Sequence, residues 1–139
     1  MADETQTTVQ VAPPIEKIIF YMDNRDVAPV YEYIKGLAQK KSKDSRIKYN
    51  KIMEYLKALS TAGTTASDNI LKHIDGDIWE LRPIADRIFF AAWTGDRFII
   101  LHQFVKKSQK TPQREIDTAK RRLEEARKEP ERYEPDKEK

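Results

Sequence analysis

The sequence predicts an α+β fold, in which two N-terminal helices cover one face of an antiparallel sheet and a C-terminal helix follows the sheet. Apolar residues recur at helical spacing between residues 27 and 59, whereas short apolar runs separated by tight turns occupy residues 70–105. Helical spacing returns after Thr111-Pro112. Helices and strands segregated along the chain in this way are typical of α+β folds, and we expect four to five strands.

The composition favours one intracellular domain. With 139 residues the chain can bury one core, and we expect a flexible leader at 1–14, a single domain at 15–128 and a charged flexible tail at 129–139. The absence of cysteine excludes disulfides, thiol nucleophiles and thiolate metal sites. The start of the chain lacks the features of a signal peptide, and no apolar run is long enough to cross a bilayer. We therefore expect a cytoplasmic protein that does not enter a membrane.

The first strand and the first helix are predicted on either side of a short turn. Lys17–Met22 is an apolar run with β-branched and aromatic residues, which is typical of a strand. Asp26 is the expected cap of a helix that begins at Val27, and Pro29 is tolerated within its first turn.

The second helix is predicted to begin after Ser42 or Asp44, either of which is a suitable cap. Gly63 is the expected C-terminal stop. The inward stripe of this helix comprises Tyr49, Ile52, Met53, Leu56 and Leu59.

Four further runs are predicted as strands of a meander. Ile70–Ile74 ends at the turn signal Asp75-Gly76, and Ile78–Arg82 follows it with an alternating pattern. Arg87–Trp93 and Phe98–Val105 are almost wholly apolar, as central strands are.

Alternation divides the residues of the second of these runs between two faces. Trp79 and Leu81 share one face, whereas Ile78, Glu80 and Arg82 share the other. We expect the second face to be partly open, because the two N-terminal helices cover only the first. The aromatic residues of the strands are expected in the core rather than as platforms for nucleobases.

The last helix is predicted from its start signal and its apolar stripe. Thr111 is the expected cap, and Pro112 is the expected first helical residue. The stripe is narrow and comprises Ile116, Ala119, Leu123 and Ala126.

A segment of one-sign charge follows the last strand. Acidic residues are absent between Arg97 and Arg114, where lysines and arginines cluster, although the net charge of the chain is only +3. Arg82 and Arg87 flank the preceding turn, and Lys106 with its neighbour leaves the last strand. If the last two strands pair, these cations meet at one edge of the sheet. Gathered cations suit a polyanion, and RNA is the first candidate.

The remaining polar strand residues allow two interpretations each. An ion pair with a neighbouring arginine is favoured for Glu80 over a general-base role, and a packing role is favoured for His102. His102 nevertheless shares alternation parity with Lys106, so a place on the open face stays possible, and Lys72 can face either side. No phosphate-binding glycine loop, zinc-ligand spacing or Ser-His-Asp arrangement is present, so we expect neither a metal nor a cofactor.

Two strings resemble a known family. WELRPIADRIFFAAW and FIILHQFVKKSQKTPQREIDTAKRR are similar to the HigB-type toxins of the RelE/ParE superfamily, and in particular to a phage-derived subgroup. The resemblance runs from about Lys17 to Arg127. It implies a RelE-like fold and a small bacterial toxin that cleaves mRNA, commonly on the translating ribosome. It also implies a HigA-like, helix-turn-helix antitoxin as partner, through which alone the toxin would meet DNA.

The resemblance also implies roles for individual residues. Arg82 matches the arginine that ends the second core strand, and Arg87 matches the arginine that lies against the scissile phosphate. We predict that Arg82, Arg87 and Lys106 are catalytic. The predicted substrate-binding residues are Lys72, Glu80, His102, Lys107 and Lys110.

The leading hypothesis is a metal-independent endoribonuclease, or mRNA interferase, in which the 2′-hydroxyl of the RNA is the nucleophile. The chain departs from the superfamily pattern at Glu80, where many relatives carry lysine, and its only late tyrosine is Tyr133, in the predicted tail. Two alternatives therefore stay open. One is a ParE-like inhibitor of DNA gyrase without nuclease activity, and the other is an inactive RNA-binding module.

Overall fold

The computed structural model describes residues 15–134 and has an α+β fold, as the sequence predicts. The predicted leader at 1–14 and the end of the predicted tail, 135–139, lie outside the described residues. The helices and strands are β1 (Ile18–Phe20), α1 (Pro29–Gln39), α2 (Lys43–Ala62), β2 (Leu71–Asp75), β3 (Ile78–Leu81), β4 (Asp86–Ala92), β5 (Phe98–Val105) and α3 (Gln113–Lys128). None of the helices described is both long and apolar enough to span a lipid bilayer.

The five strands form one mixed sheet in the order β1-β5-β4-β3-β2. The meander from β2 to β5 is antiparallel, as predicted. β1, however, pairs parallel to β5, with Ile18 opposite Phe98 and Phe20 opposite Ile100. Because β1 and β5 are separated by most of the domain, no short hairpin forces them into antiparallel pairing.

Helices α1 and α2 cover one face of the sheet, as predicted. Their buried residues pack against the strand residues that share that face, and the resulting core includes Ile34, Leu37, Ile52, Leu56, Leu59, Leu81, Ile88, Phe90 and Ile100. This burial of apolar area is the main stabilising contribution on this side of the sheet.

The predicted cap of α2 is confirmed, whereas the predicted cap of α1 is not. Ser42 caps α2, where its hydroxyl accepts a hydrogen bond from the backbone N–H of Ser45. The prediction that Asp26 caps α1 is wrong, because α1 begins two residues later, with Ala28 at the cap position and Pro29 as its first residue. Asp23 instead fixes this turn, since its carboxylate accepts from two backbone N–H groups.

The second face of the sheet is partly covered by α3, which the sequence did not place there. The predicted stripe of α3 is buried, and it packs with Phe89, Ala91, Ile99 and Leu101. Because α3 starts at Gln113, with Pro112 at the cap position, it begins one residue later than predicted. The part of this face near the start of β4 and the end of β5 carries polar residues instead.

Residues 129–134, predicted as part of a flexible tail, pack against the domain instead. Pro130–Tyr133 forms a short 3-10 turn, and Tyr133 is only 8% exposed. The Tyr133 hydroxyl lies 2.9 Å from the backbone nitrogen of Met22, and its ring packs on Trp93. Arg132 adds hydrogen bonds from its guanidinium to the carbonyl oxygens of Met22 and Asp23. These two side chains therefore anchor the segment.

Candidate functional site

Four cations surround one buried carboxylate on the second face of the sheet. Glu80 lies on β3 and is 3% exposed. Lys72 is directly opposite Glu80 on β2, and the Nε of Arg82 lies 3.7 Å from the Oε1 of Glu80. Arg87 on β4 and Lys106 after β5 complete the group, which we call the cationic cluster (Lys72, Arg82, Arg87 and Lys106). The predicted ion pair between Glu80 and an arginine is confirmed.

Burial and the charges of the cationic cluster have opposite effects on the pKa of Glu80. Burial raises the pKa of Glu80 above its ordinary value, because a charged carboxylate loses hydration. Arg87, Arg82, Lys106 and Lys72, in this order, oppose the rise by attracting the ionised form. All three predicted catalytic residues therefore lie close enough to one carboxylate to influence its charge.

Arg87 is held by the backbone of the turn that precedes its strand. Its Nη1 donates hydrogen bonds of 2.8 Å to the carbonyl oxygens of Ile84 and Asp86. Among the described residues, no hydrogen-bond partner exists for the Nε of Arg87 or for the Oε2 of Glu80, although both atoms are buried. Buried polar atoms usually have partners, so these two are unsatisfied groups inside the cluster and are shielded from solvent.

The turn between the two arginines has an unusual backbone. Ile84 has a φ of 57° and is 55% exposed. Positive φ is a genuine outlier for a β-branched residue, so this turn stores strain. The backbone N–H of Lys106 donates to the carbonyl of Ala85 in the same turn, at 2.8 Å. The turn thus positions Arg87 and Lys106 together.

His102 lies on the same face as the cationic cluster but is turned towards α3. Its Nε2 is 2.6 Å from the Oε1 of Glu115, and its Nδ1 is 3.4 Å from Arg122. Burial lowers the pKa of His102 more than the hydrogen bond to Glu115 raises it. The ring stacks on Phe104. This geometry fits the packing role that the sequence favours, while the substrate-binding role stays a prediction.

The other predicted residues lie further from the cluster. Lys107 and Lys110 are exposed on the segment after β5, and neither forms an ion pair with an acidic residue among residues 15–134. Arg97, at the other end of the one-sign segment, contacts the carbonyl of Tyr133 and the carboxylate of Glu134. The acid-free segment is therefore divided between the two ends of the sheet.

Tyr133 is not at the cationic cluster. It packs on Trp93, which follows the end of β4, whereas Arg87 lies at its beginning. A strand rises roughly 3.3 Å per residue, so the length of β4 separates them. Sequence reasoning missed Ile84, because a Pro-Ile-Ala-Asp turn does not indicate which residue takes positive φ. Within the described part of the chain, no three acidic or histidine side chains are grouped as metal ligands.

The comparison with protein families identifies one match. Residues 33–124 match the sequence profile of the family described as phage-derived protein Gp49-like. The matched segment contains most of α1, the whole of α2 and of β2 to β5, and most of α3, and it includes every residue of the cationic cluster. No curated protein matches the chain.

Proposed function

Because this chain belongs to the phage-derived Gp49-like family, a RelE/HigB-like family of toxins from toxin–antitoxin pairs, we propose that it is a metal-independent endoribonuclease that cleaves mRNA. The observation that carries this proposal is the convergence of four cations around Glu80. Guanidinium groups bind phosphate through paired hydrogen bonds, and lysine adds a compact positive charge.

The proposed reaction needs no nucleophile from the protein. The 2′-oxygen of the RNA attacks the adjacent phosphorus, the bond from phosphorus to the 5′-oxygen breaks, and a proton passes from the 2′-hydroxyl to the leaving 5′-oxygen through an acceptor and a donor. The products are a 2′,3′-cyclic phosphate and a free 5′-hydroxyl. Arg87 would hold the phosphate in line, while Arg82 and Lys106 would stabilise the added negative charge of the transition state.

Glu80 acts in this proposal as a positioning residue. Like charges cost energy when they are gathered, and the buried carboxylate offsets this cost in the free protein. A bound phosphate would also offset part of the repulsion among the four cations. Neither Glu80, which is buried, nor His102, which is bonded to Glu115, offers an exposed proton acceptor.

We therefore propose that the translating ribosome contributes to cleavage. A flexible RNA seldom adopts the in-line geometry unaided, and a ribosome would present the mRNA in a fixed conformation. An exposed cationic cluster also endangers the host cell. We accordingly propose that a helix-turn-helix antitoxin of the HigA type, encoded by the adjacent gene, neutralises the toxin in the cytoplasm, and that DNA is bound only through that antitoxin.

The decisive experiment is expression of wild type, Arg87→Ala and Arg46→Ala in bacteria, followed by mapping of RNA ends. Arg46 is an exposed residue of α2 on the opposite side of the sheet, so its variant is a control for the loss of one positive charge. We expect wild type and Arg46→Ala to produce new 5′-hydroxyl ends in translated mRNA and Arg87→Ala to produce none. Intact mRNA in all three strains would contradict the proposal.

A gyrase supercoiling assay run beside the cleavage assay distinguishes the proposed endoribonuclease from the main alternative, an inhibitor of DNA gyrase. Inhibition of supercoiling without RNA cleavage would assign the chain to the ParE-like mode of action. Free and translated RNA should also be compared with purified protein, because equal cleavage rates would contradict the role of the ribosome. If bacteria that overexpress the protein continue to grow, the protein would be an inactive RNA-binding module.

A further inference from the structure

A cleft lies at the free edge of the sheet, next to the cationic cluster. It has a volume of about 540 Å³, and its lining includes Thr64, Asp68, Lys72, His73, Trp79 and Arg82. Lys72 and Arg82 belong to both the cleft and the cationic cluster. Pockets of this size accommodate small organic molecules. His73 and Trp79 lie on the face that α1 and α2 cover, whereas Glu80 lies on the second face. A ligand held by the cluster through a phosphate could therefore reach the cleft by passing around the free edge of β2.

The cleft contains an ordered pair of aromatic rings. The rings of His73 and Trp79 pack edge to face, with their centroids 5.1 Å apart. His73 is fixed in turn, because its Nε2 donates to the carbonyl of Gly76 at 2.7 Å. Trp79 was expected in the core, and its inner side does pack there, but the side chain is only partly buried. Partly exposed aromatic rings beside cations are typical of sites that stack unpaired nucleobases.

The wall opposite these rings provides hydrogen-bonding groups. Asp68 lies in a turn that Ser67 fixes, since the Ser67 hydroxyl accepts from the backbone N–H of Asn69 at 3.1 Å. The Asp68 carboxylate is exposed, and it has no hydrogen-bond or ion-pair partner among residues 15–134. A carboxylate accepts hydrogen bonds from N–H groups on the edges of bases. Guanine presents two such groups side by side, whereas uracil places a carbonyl oxygen on each side of its single N–H.

We propose that this cleft is a nucleobase subsite, which binds the base adjacent to the phosphate held by the cationic cluster and prefers guanine over uracil. Trp79 provides the stacking surface, and Asp68 accepts from the edge of the base. The inference rests on the proposed function, because that function places an RNA phosphate at the cluster. It adds the residues that select the base at the cleavage site.

The test is nucleotide binding in a Trp93→Phe background, where Trp79 is the sole tryptophan. The probes are guanosine 3′,5′-bisphosphate, uridine 3′,5′-bisphosphate and inorganic phosphate. None of them carries a leaving nucleotide, so binding is measured without cleavage. We expect the guanosine compound to quench Trp79 fluorescence with an affinity roughly tenfold higher than that of the uridine compound, as one paired hydrogen-bonding contact provides. Inorganic phosphate should compete without quenching.

Asp68→Asn should reduce the preference for guanine to within about threefold, because the amide replaces one acceptor oxygen with a donor. Asp96→Asn is the matched control, since Asp96 is also exposed and lies in the turn between β4 and β5. Its φ of 64° suits asparagine. In cells, Asp68→Asn should change the bases found at the cleavage sites.

Equal affinities for the two bisphosphates, or binding that leaves Trp79 fluorescence unchanged, would overturn the subsite. Cleavage that continues without base discrimination would reject the subsite alone. If the protein discriminates between the bisphosphates but cleaves no RNA, the proposed endoribonuclease is rejected and the nucleobase subsite is retained. If Asp68→Asn loses antitoxin binding and keeps the preference for guanine, the cleft belongs to the protein partner and the proposal is wrong.

Discussion

The Nε2 of His102 lies 2.6 Å from the Oε1 of Glu115, and this contact joins β5 to α3 beside the cationic cluster. Both side chains are mostly buried, with exposed fractions of 15% and 16%. The contact engages one ring nitrogen of His102, and Arg122 lies 3.4 Å from the other. Contacts with α3 therefore hold the His102 ring at both nitrogens.

Charge reversal in the cationic cluster should abolish toxicity. We expect Lys106→Glu and Arg82→Glu each to remove growth arrest, because a negative side chain would repel the phosphate. His102→Gln should have a smaller effect, since its ring is engaged by α3. Growth arrest and RNA cleavage are the measurements, with circular dichroism to confirm folding. If a folded His102→Gln protein loses all activity, His102 becomes the leading acid–base residue.

The pH dependence of stability should also reveal His102. Burial lowers its pKa below the ordinary value of 6.5, so below that pH the unfolded chain binds a proton that the folded protein resists. The free energy of unfolding should therefore decrease as the pH falls through 6.5 towards the folded-state pKa. The decrease should be larger for wild type than for His102→Gln, as measured by urea denaturation. Identical pH profiles would show that His102 does not contribute.

Replacement of Glu80 should expose the repulsion within the cationic cluster. Glu80→Gln should lower the free energy of unfolding by about 1–3 kcal/mol, because a buried charge-assisted contact is lost. Added phosphate should recover more stability in this variant than in wild type, since an anion replaces the missing charge. Thermal denaturation with and without phosphate measures both effects. Glu54→Gln, at an exposed ion pair on α2, is the control and should change stability by less than about 0.5 kcal/mol.

The strain at Ile84 predicts a stabilising substitution. A left-handed backbone costs a β-branched residue about 1–2 kcal/mol, and asparagine tolerates it better. Ile84→Asn should therefore raise the free energy of unfolding by about 1 kcal/mol. Ile47→Asn is the matched control, because Ile47 is 46% exposed on α2 and has no positive φ to relieve. Equal effects at the two positions would contradict the assignment of strain.

Tyr133 should contribute measurably to stability and not to catalysis. Tyr133→Ala should cost about 3 kcal/mol, as the loss of a buried aromatic side chain does, while Tyr133→Phe should cost about 1 kcal/mol for its hydrogen bonds. Both variants should cleave RNA at temperatures where they are folded, because the cationic cluster lies at the other end of β4. Denaturation curves that match wild type for both would show that residues 129–134 do not anchor the fold.

The alternation of side chains correctly predicted that Glu80 and Arg82 lie on the same face of the sheet. Glu80 and Arg82 share a face because β3 has no irregularity, and the register of β3 with β2 then places Lys72 opposite Glu80, which the sequence left undecided. In β5 the register shifts opposite Phe89 and Phe90. Such a bulge depends on packing between strands, so it cannot be derived from periodicity alone.

The elements that sequence reasoning misplaced depend on distant partners. The stripe of α3 indicated which residues are buried, but not that they would cover the second face of the sheet. Tyr133 occurs in a charged segment, and its burial depends on the ring of Trp93 and the backbone of Met22, both distant in sequence. The parallel pairing of β1 is equally invisible, because a three-residue strand carries little information about its neighbour.

That parallel pairing has a consequence for synthesis of the protein. Among the described strands, β1 is synthesised first, yet β5, with which it pairs, is synthesised last, and Lys106 follows β5. Contacts between such distant segments form late and slow folding. A nascent chain therefore has neither the complete described sheet nor the complete cationic cluster until β5 and Lys106 have been synthesised.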